Sequence, residues 1–321
     1  LEKTVFPETS APISEWLAKA VALLPHSESA KLDLEVLLCH TLDKSRTFLY
    51  TWPETQLTHD QYLTLTACVE RRQQGHPVAH LVGYKEFWSL PLKVTPTTLI
   101  PRPDTETLIE WVLDHFSEDV SEGSQRTDSH NTDSHNTAVQ SIGPHKKAVD
   151  LGTGTGAIAL ALASEYPSWE ISGCDRVPEA VELARFNAST LGLEKVRFFQ
   201  SNWFEQFDLA NESESYHLII SNPPYIAECD KHLEEGDVVF EPKSALVAGD
   251  DGLDDIRLIV RESLVFLAEG GCLLIEHGYD QASSVAALFV EAGYLGVGSG
   301  QDYGGNDRFT FGWKNKVGSK G

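Results

Sequence analysis

The sequence predicts an α/β protein in which a mostly parallel sheet, covered by helices on both faces, follows a small helical domain. Three observations carry that expectation. Apolar residues recur at helical spacing from Ile13 to about Gly75, strand-like runs alternate with helical ones beyond Lys147, and the first of those runs leads through a glycine-rich loop into an Ala/Leu-rich helix. Parallel pairing requires such alternation, because each return to the sheet needs a crossover, which a helix supplies.

Along the chain, Ile13, Leu17, Ala20, Val21 and Leu24 form one apolar stripe, and Leu34, Leu37, Leu38 and Leu42 a second. Thr58 and Gln61 have the spacing of a capping box. Tyr62, Leu65, Thr66 and Val69 continue that helix, and Arg71 and Arg72 before Gly75 suit its end. Residues 1–75 read as an N-terminal helical domain. Over 76–103, β-branched and aromatic residues broken by prolines, Phe87 to Val94 among them, predict a hairpin connector. A helix from about Asp104, with Leu108, Ile109, Val112, Leu113 and Phe116 on one side, opens a second domain over 104–321. Residues 117–146 interrupt it with a polar stretch that holds Thr-Asp-Ser-His-Asn at 127–131 and again at 132–136, a composition that predicts a flexible surface insertion. His130, His135 and His145 lie there without neighbouring cysteines, and no metal site is expected. Strands are then expected at 148–151, 170–174, 196–199, 217–220, 272–275, 293–297 and 309–313, with helices at 156–165, 178–191, 252–268 and 281–292.

Composition narrows the function classes. The 321 residues carry 25 Lys+Arg against 48 Asp+Glu, a formal charge of −23. A general phosphate-backbone binder carries a basic face, so non-specific nucleic-acid binding is not expected. No apolar run approaches the roughly 18 residues that span a bilayer, and no signal-peptide pattern opens the sequence, which predicts no membrane partner and a cytoplasmic location. Cys39, Cys68, Cys174, Cys229 and Cys272 are scattered, the pattern of reduced, packed thiols.

The first strand of the second domain runs into Asp150-Leu151-Gly152-Thr153-Gly154-Thr155-Gly156-Ala157. Glycines let the backbone turn sharply and approach a ligand, and the amides at the following helix start are expected to face it. Gly152, Gly154 and Ala157 also satisfy the dinucleotide fingerprint. Asp175, 23 positions after Gly152, can accept ribose hydroxyls, which suits NAD and S-adenosylmethionine equally.

The chemistry is carried by Ser221-Asn222-Pro223-Pro224-Tyr225, at the end of the fourth strand. In a doubly wound sheet the first and fourth strands flank the point where strand order reverses, and ligands bind beyond their carboxyl ends. The prolines stiffen the turn and present carbonyl oxygens. A conjugated NH₂ group is a poor nucleophile because its lone pair is delocalised, but the Asn222 side-chain oxygen and the Pro223 backbone carbonyl can hold its two N–H bonds. Tyr225 offers an aromatic wall for a planar amide or base. Asn222, Pro223 and Tyr225 are therefore the candidate catalytic residues, and Asn222 to Tyr225, Pro224 included, the candidate acceptor site.

Asp150 to Ala157 followed by Asn222 to Tyr225 resembles the class I S-adenosylmethionine-dependent methyltransferases whose acceptor is a planar NH₂, whether of adenine, cytosine or glutamine. The rest of the chain resembles one branch of them. Leu32 to Leu38, Pro77 to Leu81, Glu86-Phe87-Trp88, Ile100 to Glu106, Glu276-His277-Gly278 and Asp302 to Arg308 are similar to the protein-(glutamine-N5) methyltransferases that modify peptide chain release factors. The resemblance covers about residues 13 to 313 without the insertion.

That resemblance implies a Rossmann-like methyltransferase domain with a seven-stranded sheet, S-adenosyl-L-methionine as cofactor and S-adenosyl-L-homocysteine as product. It implies methylation of the Gly-Gly-Gln glutamine of class I peptide chain release factors, in translation termination. Gly152, Thr153, Gly154, Thr155 and Gly156 would bind the methionine part of the cofactor, Asp175 the ribose, Trp203 the adenine neighbourhood, and Asn222 would face both cofactor and acceptor. The helical domain would recognise the release factor, and its acidity suits a partner that itself binds ribosomal RNA. One position departs from the family, since Asn202 precedes Trp203 where an acidic residue is expected; its amide oxygen can still accept a hydrogen bond. Glu276, at the end of the fifth strand, is expected to be structural, because the methylated amide cation is acidic enough to lose its proton to water. Two other readings stay open at this stage. A nucleic-acid amino-methyltransferase is disfavoured by the charge, and a non-catalytic dinucleotide-binding protein leaves Asn222 to Tyr225 unexplained.

Overall fold

The computed structural model describes residues 6–116, 146–208, 215–234 and 236–316. The chain divides into two compact units, Leu1–Pro101 with Pro224–Asp254, and Arg102–Pro223 with Asp255–Gly321.

The first unit is built on helices Ile13–Ala18 (α1), Ala20–Leu23 (α2), Ala30–Leu42 (α3), Arg46–Thr51 (α4), His59–Gln73 (α5) and Val78–Val82 (α6). Ile13, Trp16, Leu34, Leu38, Leu65 and Val69 fill its core. The stripe expected from 13 to 24 breaks at Lys19 (φ −94°, ψ 3°), which shifts its phase: Trp16 and Leu23 turn inward and Val21 is left 72% exposed. The start of α5 follows expectation, with the Gln61 amide donating to Thr58 Oγ1 (3.3 Å) and the Thr58 amide to Gln61 Oε1 (2.9 Å). Helix α6 was not expected within the connector. Its five residues follow Pro77, and a run so short carries no period to set it apart from a strand. The hairpin itself forms from Tyr84–Phe87 (β1) and Leu90–Lys93 (β2), antiparallel, with Trp88 and Ser89 both left-handed (φ 53° and 59°) in the two-residue turn that matches strand twist.

Pro224–Asp254, which the sequence groups with the second domain, belongs to this first unit. It is mostly short 3₁₀ turns, Lys231–Glu234, Gly236–Phe240 and Lys243–Ala245. Buried Glu241 accepts the Ile100 amide hydrogen (2.8 Å), Arg72 bridges Asp33 (2.8 Å) and Asp237 (2.9 Å), and the Phe240 ring lies against Gly75, where a Cβ would stand 3.2 Å from it.

The second unit opens with a 3₁₀ turn, Pro103–Thr105, and helix Glu106–His115 (α7). Strands Lys147–Leu151 (β3), Glu170–Asp175 (β4), Arg197–Gln200 (β5) and Tyr216–Ser221 (β6) then alternate with helices Ala157–Glu165 (α8) and Pro178–Leu191 (α9). Helix Asp254–Phe266 (α10), strand Leu267–Glu276 (β7), helix Ala282–Ala292 (α11) and strands Leu295–Gln301 (β8) and Asp307–Trp313 (β9) complete it. The sheet has seven strands in the order β5-β4-β3-β6-β7-β9-β8. The pairs from β5 to β7 are parallel, and β9 is antiparallel to both neighbours, so the mostly parallel sheet expected from the alternation is the one observed. Near-continuous apolar strands such as Leu218-Ile219-Ile220 and Cys272 to Ile275 are fully buried, as strands covered on both faces must be.

Apart from Lys146, the insertion read at 117–146 lies outside the described residues, with its three histidines. Among the described residues no helix is long and apolar enough to cross a membrane.

Candidate active site

Strand order reverses between β3 and β6. Leu151 pairs with Ser221 there, and Ser221 Oγ donates to the Leu151 carbonyl (2.7 Å), so Gly152 and Asn222 leave the sheet side by side at its carboxyl edge. Asp175 ends β4 next door, and Trp203 follows β5. The geometry therefore brings the Gly152 to Gly156 loop, Asp175, Trp203 and Asn222 to one edge formed by four adjacent strands.

The loop turns on glycines in the left-handed region, with φ of 72° at Gly152, 53° at Gly154 and 85° at Gly156. Glycine is also needed at 156 for space, since a Cβ would lie 3.1 Å from Leu160 and 3.2 Å from both Ala184 and Phe198. Most loop amides are engaged inside the protein. Gly152 and Thr153 donate to the Cys174 carbonyl (2.9 Å each), Gly154 to Asp175 Oδ2 (3.0 Å) and Gly156 to the Thr153 carbonyl (2.8 Å). Strand-to-loop bonding takes these amides, and at the helix start the Ala159 amide donates to Asp150 Oδ2 (3.3 Å). The Thr153 and Thr155 side chains are buried; Thr153 Oγ1 donates to Asp150 Oδ2 (2.6 Å), and the Thr155 carbonyl accepts from Asn187 (2.9 Å).

Asp150 opens the loop motif, and the sequence alone assigns it no role. It is 1% exposed, its Oδ2 accepts from Thr153 and from the Ala159 amide (3.3 Å), and among the described residues its Oδ1 has no hydrogen-bond partner. Burial pushes its carboxyl up to about 7 against those two hydrogen bonds. Asp175 is raised as well, chiefly by burial, although the Val177 and Gly154 amides stabilise its charge. Its position at the end of a strand before Pro178 was the legible signal; for Asp150 the only one was its place as the last polar residue before the glycines.

Trp203 has a left-handed backbone (φ 48°), uncommon for a bulky residue. Its carbonyl accepts from Ser201 Oγ (2.7 Å) and its indole nitrogen donates to Asp255 Oδ1 (3.1 Å), which holds the ring against Gly152, where a Cβ would stand 3.3 Å from it. Asp255 escaped the sequence reading because it lies 52 residues away at the start of α10. Exposed Asn202 donates its amide to Glu205 (2.8 Å).

Asn222 Nδ2 donates to Thr105 Oγ1 (3.1 Å), a contact 117 residues apart in sequence. Pro223 ends the second unit; Pro224 and Tyr225 open the segment assigned to the first, which Ile226 anchors by donating to the Leu246 carbonyl (2.8 Å) and accepting from Ala248 (3.0 Å). Glu276 is buried at the end of β7. Among the described residues no group of His, Cys, Asp and Glu side chains is placed to hold a metal ion.

Comparison with known proteins sets this geometry in context. The PrmC N-terminal domain model matches residues 15–83, and a methyltransferase domain model matches residues 142–282. The release factor glutamine methyltransferase of Shewanella oneidensis is 47% identical over 299 residues, covering 93% of this chain and 94% of that protein. The enzyme of the same name from Escherichia coli K12 is 46% identical over 297 residues, covering 92% and 97%. Among solved structures, the hMettl16 catalytic domain in complex with a MAT2A 3'UTR hairpin superposes with a TM-score of 0.53 at 13% identity, covering 98% of this chain and 97% of that one, a likeness of fold alone. With near-full-length identity of this order added to the two domain matches, the chain belongs to the release factor glutamine methyltransferase family, a family of class I methyltransferases.

Proposed function

We propose that this protein transfers the methyl group of S-adenosyl-L-methionine to the side-chain amide nitrogen of the glutamine in the Gly-Gly-Gln motif of class I peptide chain release factors. The observation that carries this reading is Asn222 at the strand-order reversal, its Nδ2 engaged by Thr105 so that its Oδ1 is left to accept.

The residues present fit the cofactor. Asp150 holds a buried carboxylate oxygen that has no partner among the described residues, a group suited to a cation, and S-adenosylmethionine carries both an ammonium and a sulfonium. Both Asp175 oxygens take a backbone amide, and each keeps a lone pair for a ribose hydroxyl. Trp203, pinned over Gly152, offers a ring face to the adenine side. When bound, the cofactor supplies a methyl group on positively charged sulfur, and as the new N–C bond forms the C–S electron pair stays with sulfur.

Asn222 Oδ1 and the Pro223 carbonyl accept the two N–H bonds of the glutamine amide, which fixes the nitrogen's direction and raises its electron density. Tyr225 supplies the face on which the planar amide stacks. Positioning carries the catalysis, since orientation of two reactants alone is worth up to roughly 7–11 kcal/mol. The methylated nitrogen then loses one proton to water, so no side chain need act as a strong base. The N-terminal helical domain expected over 1–75 recognises the release factor.

The test incubates the protein with methyl-labelled S-adenosylmethionine and purified release factor, with a copy whose Gly-Gly-Gln glutamine is changed, and with nucleic acid as a parallel acceptor. Label on that glutamine, absent from the changed copy, is expected. Label on nucleic acid alone would overturn the substrate assignment.

A further inference from the structure

Thr105, the partner of Asn222, lies in the tripeptide that introduces α7. Thr105 closes the 3₁₀ turn Pro103–Thr105; it is 3% exposed, and its amide donates to the Arg102 carbonyl (3.2 Å). Its hydroxyl oxygen receives Asn222 Nδ2–H at 3.1 Å. The turn is fixed from two further directions. Arg308, 3.8 Å from the Asp104 carboxylate, is itself held by Asp302 (2.8 Å), whose carboxylate also accepts the Gly304 and Asn306 amides (2.9 Å each). Tyr303 from the same loop donates to Glu110 on α7 (2.9 Å). The Asp302 to Arg308 motif thus links, through Arg308 and Tyr303, to the turn that carries Thr105 and to α7.

We infer that Thr105 is a positioning residue for methyl transfer: its hydroxyl, fixed in a buried turn, anchors the Asn222 amide at the place from which Oδ1 meets the acceptor nitrogen. The inference rests on the role given to Asn222 above. An asparagine amide has a donor end and an acceptor end of nearly the same shape, so an unrestrained side chain presents either. Turned the wrong way, Asn222 would oppose NH₂ to NH₂, with no acceptor for the glutamine N–H. A hydroxyl can pair with either end, so the buried turn fixes where the Asn222 side chain stands, and the two N–H bonds of the acceptor select the flip state in which Oδ1 faces them. Because Thr105 acts through Asn222, its loss is expected in the chemical step more than in cofactor affinity.

The test compares Thr105→Val, which keeps the shape and removes the hydroxyl, with Thr105→Ser, which restores it, using the full chain and the release factor as acceptor. Expected for Thr105→Val is a fall in kcat of about 10- to 100-fold with KM for the release factor and Kd for S-adenosylmethionine within about twofold, the pattern of an interaction that counts only in the transition state. Thr105→Ser should recover kcat to within about threefold. If Thr105→Val does not fold, Thr105→Ala supplies the hydroxyl-free variant. A Thr105→Val enzyme at full kcat overturns the inference, as does a loss shared equally by Val and Ser or one confined to cofactor Kd. Asn222→Ala, run alongside, separates the two levels: if it abolishes transfer while Thr105→Val is unaffected, only the Thr105 role fails, and if it transfers at the normal rate the reading of Asn222 fails first.

Discussion

In the first unit the buried carboxylates of Asp33 and Glu35 each meet an arginine, Arg72 at 2.8 Å and Arg46 at 2.9 Å, whereas in the second Asp150 and Asp175 meet hydroxyl and amide donors. The contrast is local to the glycine loop, because Asp302 in the same unit is paired with Arg308. Burial pushes the carboxyls of Glu35, Asp150 and Asp175 upward. Glu35 is nevertheless held below its ordinary range, burial being outweighed by Tyr50 and Arg46, while Asp150 is pushed up to about 7. A carboxylate matched by an arginine is finished as a piece of structure. One left without a cation in a buried loop retains a demand for positive charge that a cationic ligand can meet.

The comparison breaks most severely if an arginine is removed. Arg72→Ala leaves Asp33 partly buried without its cation and frees Asp237, and it should cost about 3 kcal/mol of stability by denaturant unfolding, near the low end for a broken buried pair. A cost near that of an exposed pair would show that Arg72 is not the link between α5 and the 236–240 turn.

Asp150→Asn probes the other side and should change sign with the property measured. Cofactor affinity falls by about 10-fold or more, since a charged partner for a cation is lost. Ligand-free stability moves the other way with pH. A carboxyl whose folded pKa lies above its unfolded one binds protons more tightly in the folded state, so its contribution is greatest at low pH and is lost between about 4 and about 7 as pH rises. Asp150→Asn should remove a slope of up to roughly 1.4 kcal/mol per pH unit in that window. Glu35 slopes oppositely: its stabilisation is present above the ordinary carboxylate range and is lost as pH falls through the lowered folded value. A wild-type profile unchanged by Asp150→Asn would remove the basis of the contrast.

Much of the second unit was legible because its signals are local. Strand runs, the glycine loop and the Pro178 to Leu191 helix declare themselves within a dozen residues, and α9 begins and ends where the sequence placed it. What escaped depends on distant partners. The 224–254 segment has no apolar period, and its place follows from Glu241 meeting Ile100 and Arg72 meeting Asp237, contacts 141 and 165 residues apart. Thr105 and Asp255 were hidden in the same way, each near in space to a recognised residue and far from it in sequence. The smallest effect falls where sequence and structure agree most closely: Thr58→Ala removes one half of the α5 capping box and should cost about 1 kcal/mol by thermal unfolding, leaving cofactor affinity unchanged. A loss well above that would mean that Thr58 does more than cap.

The central claim is that Asn222 serves the acceptor amide, and it is tested most directly by single-turnover methyl transfer to release factor with Asn222→Ala at saturating S-adenosylmethionine. The account predicts a rate at least about 10³-fold below that of the unchanged protein, with the cofactor still bound. Transfer to the same glutamine at an undiminished rate would contradict it.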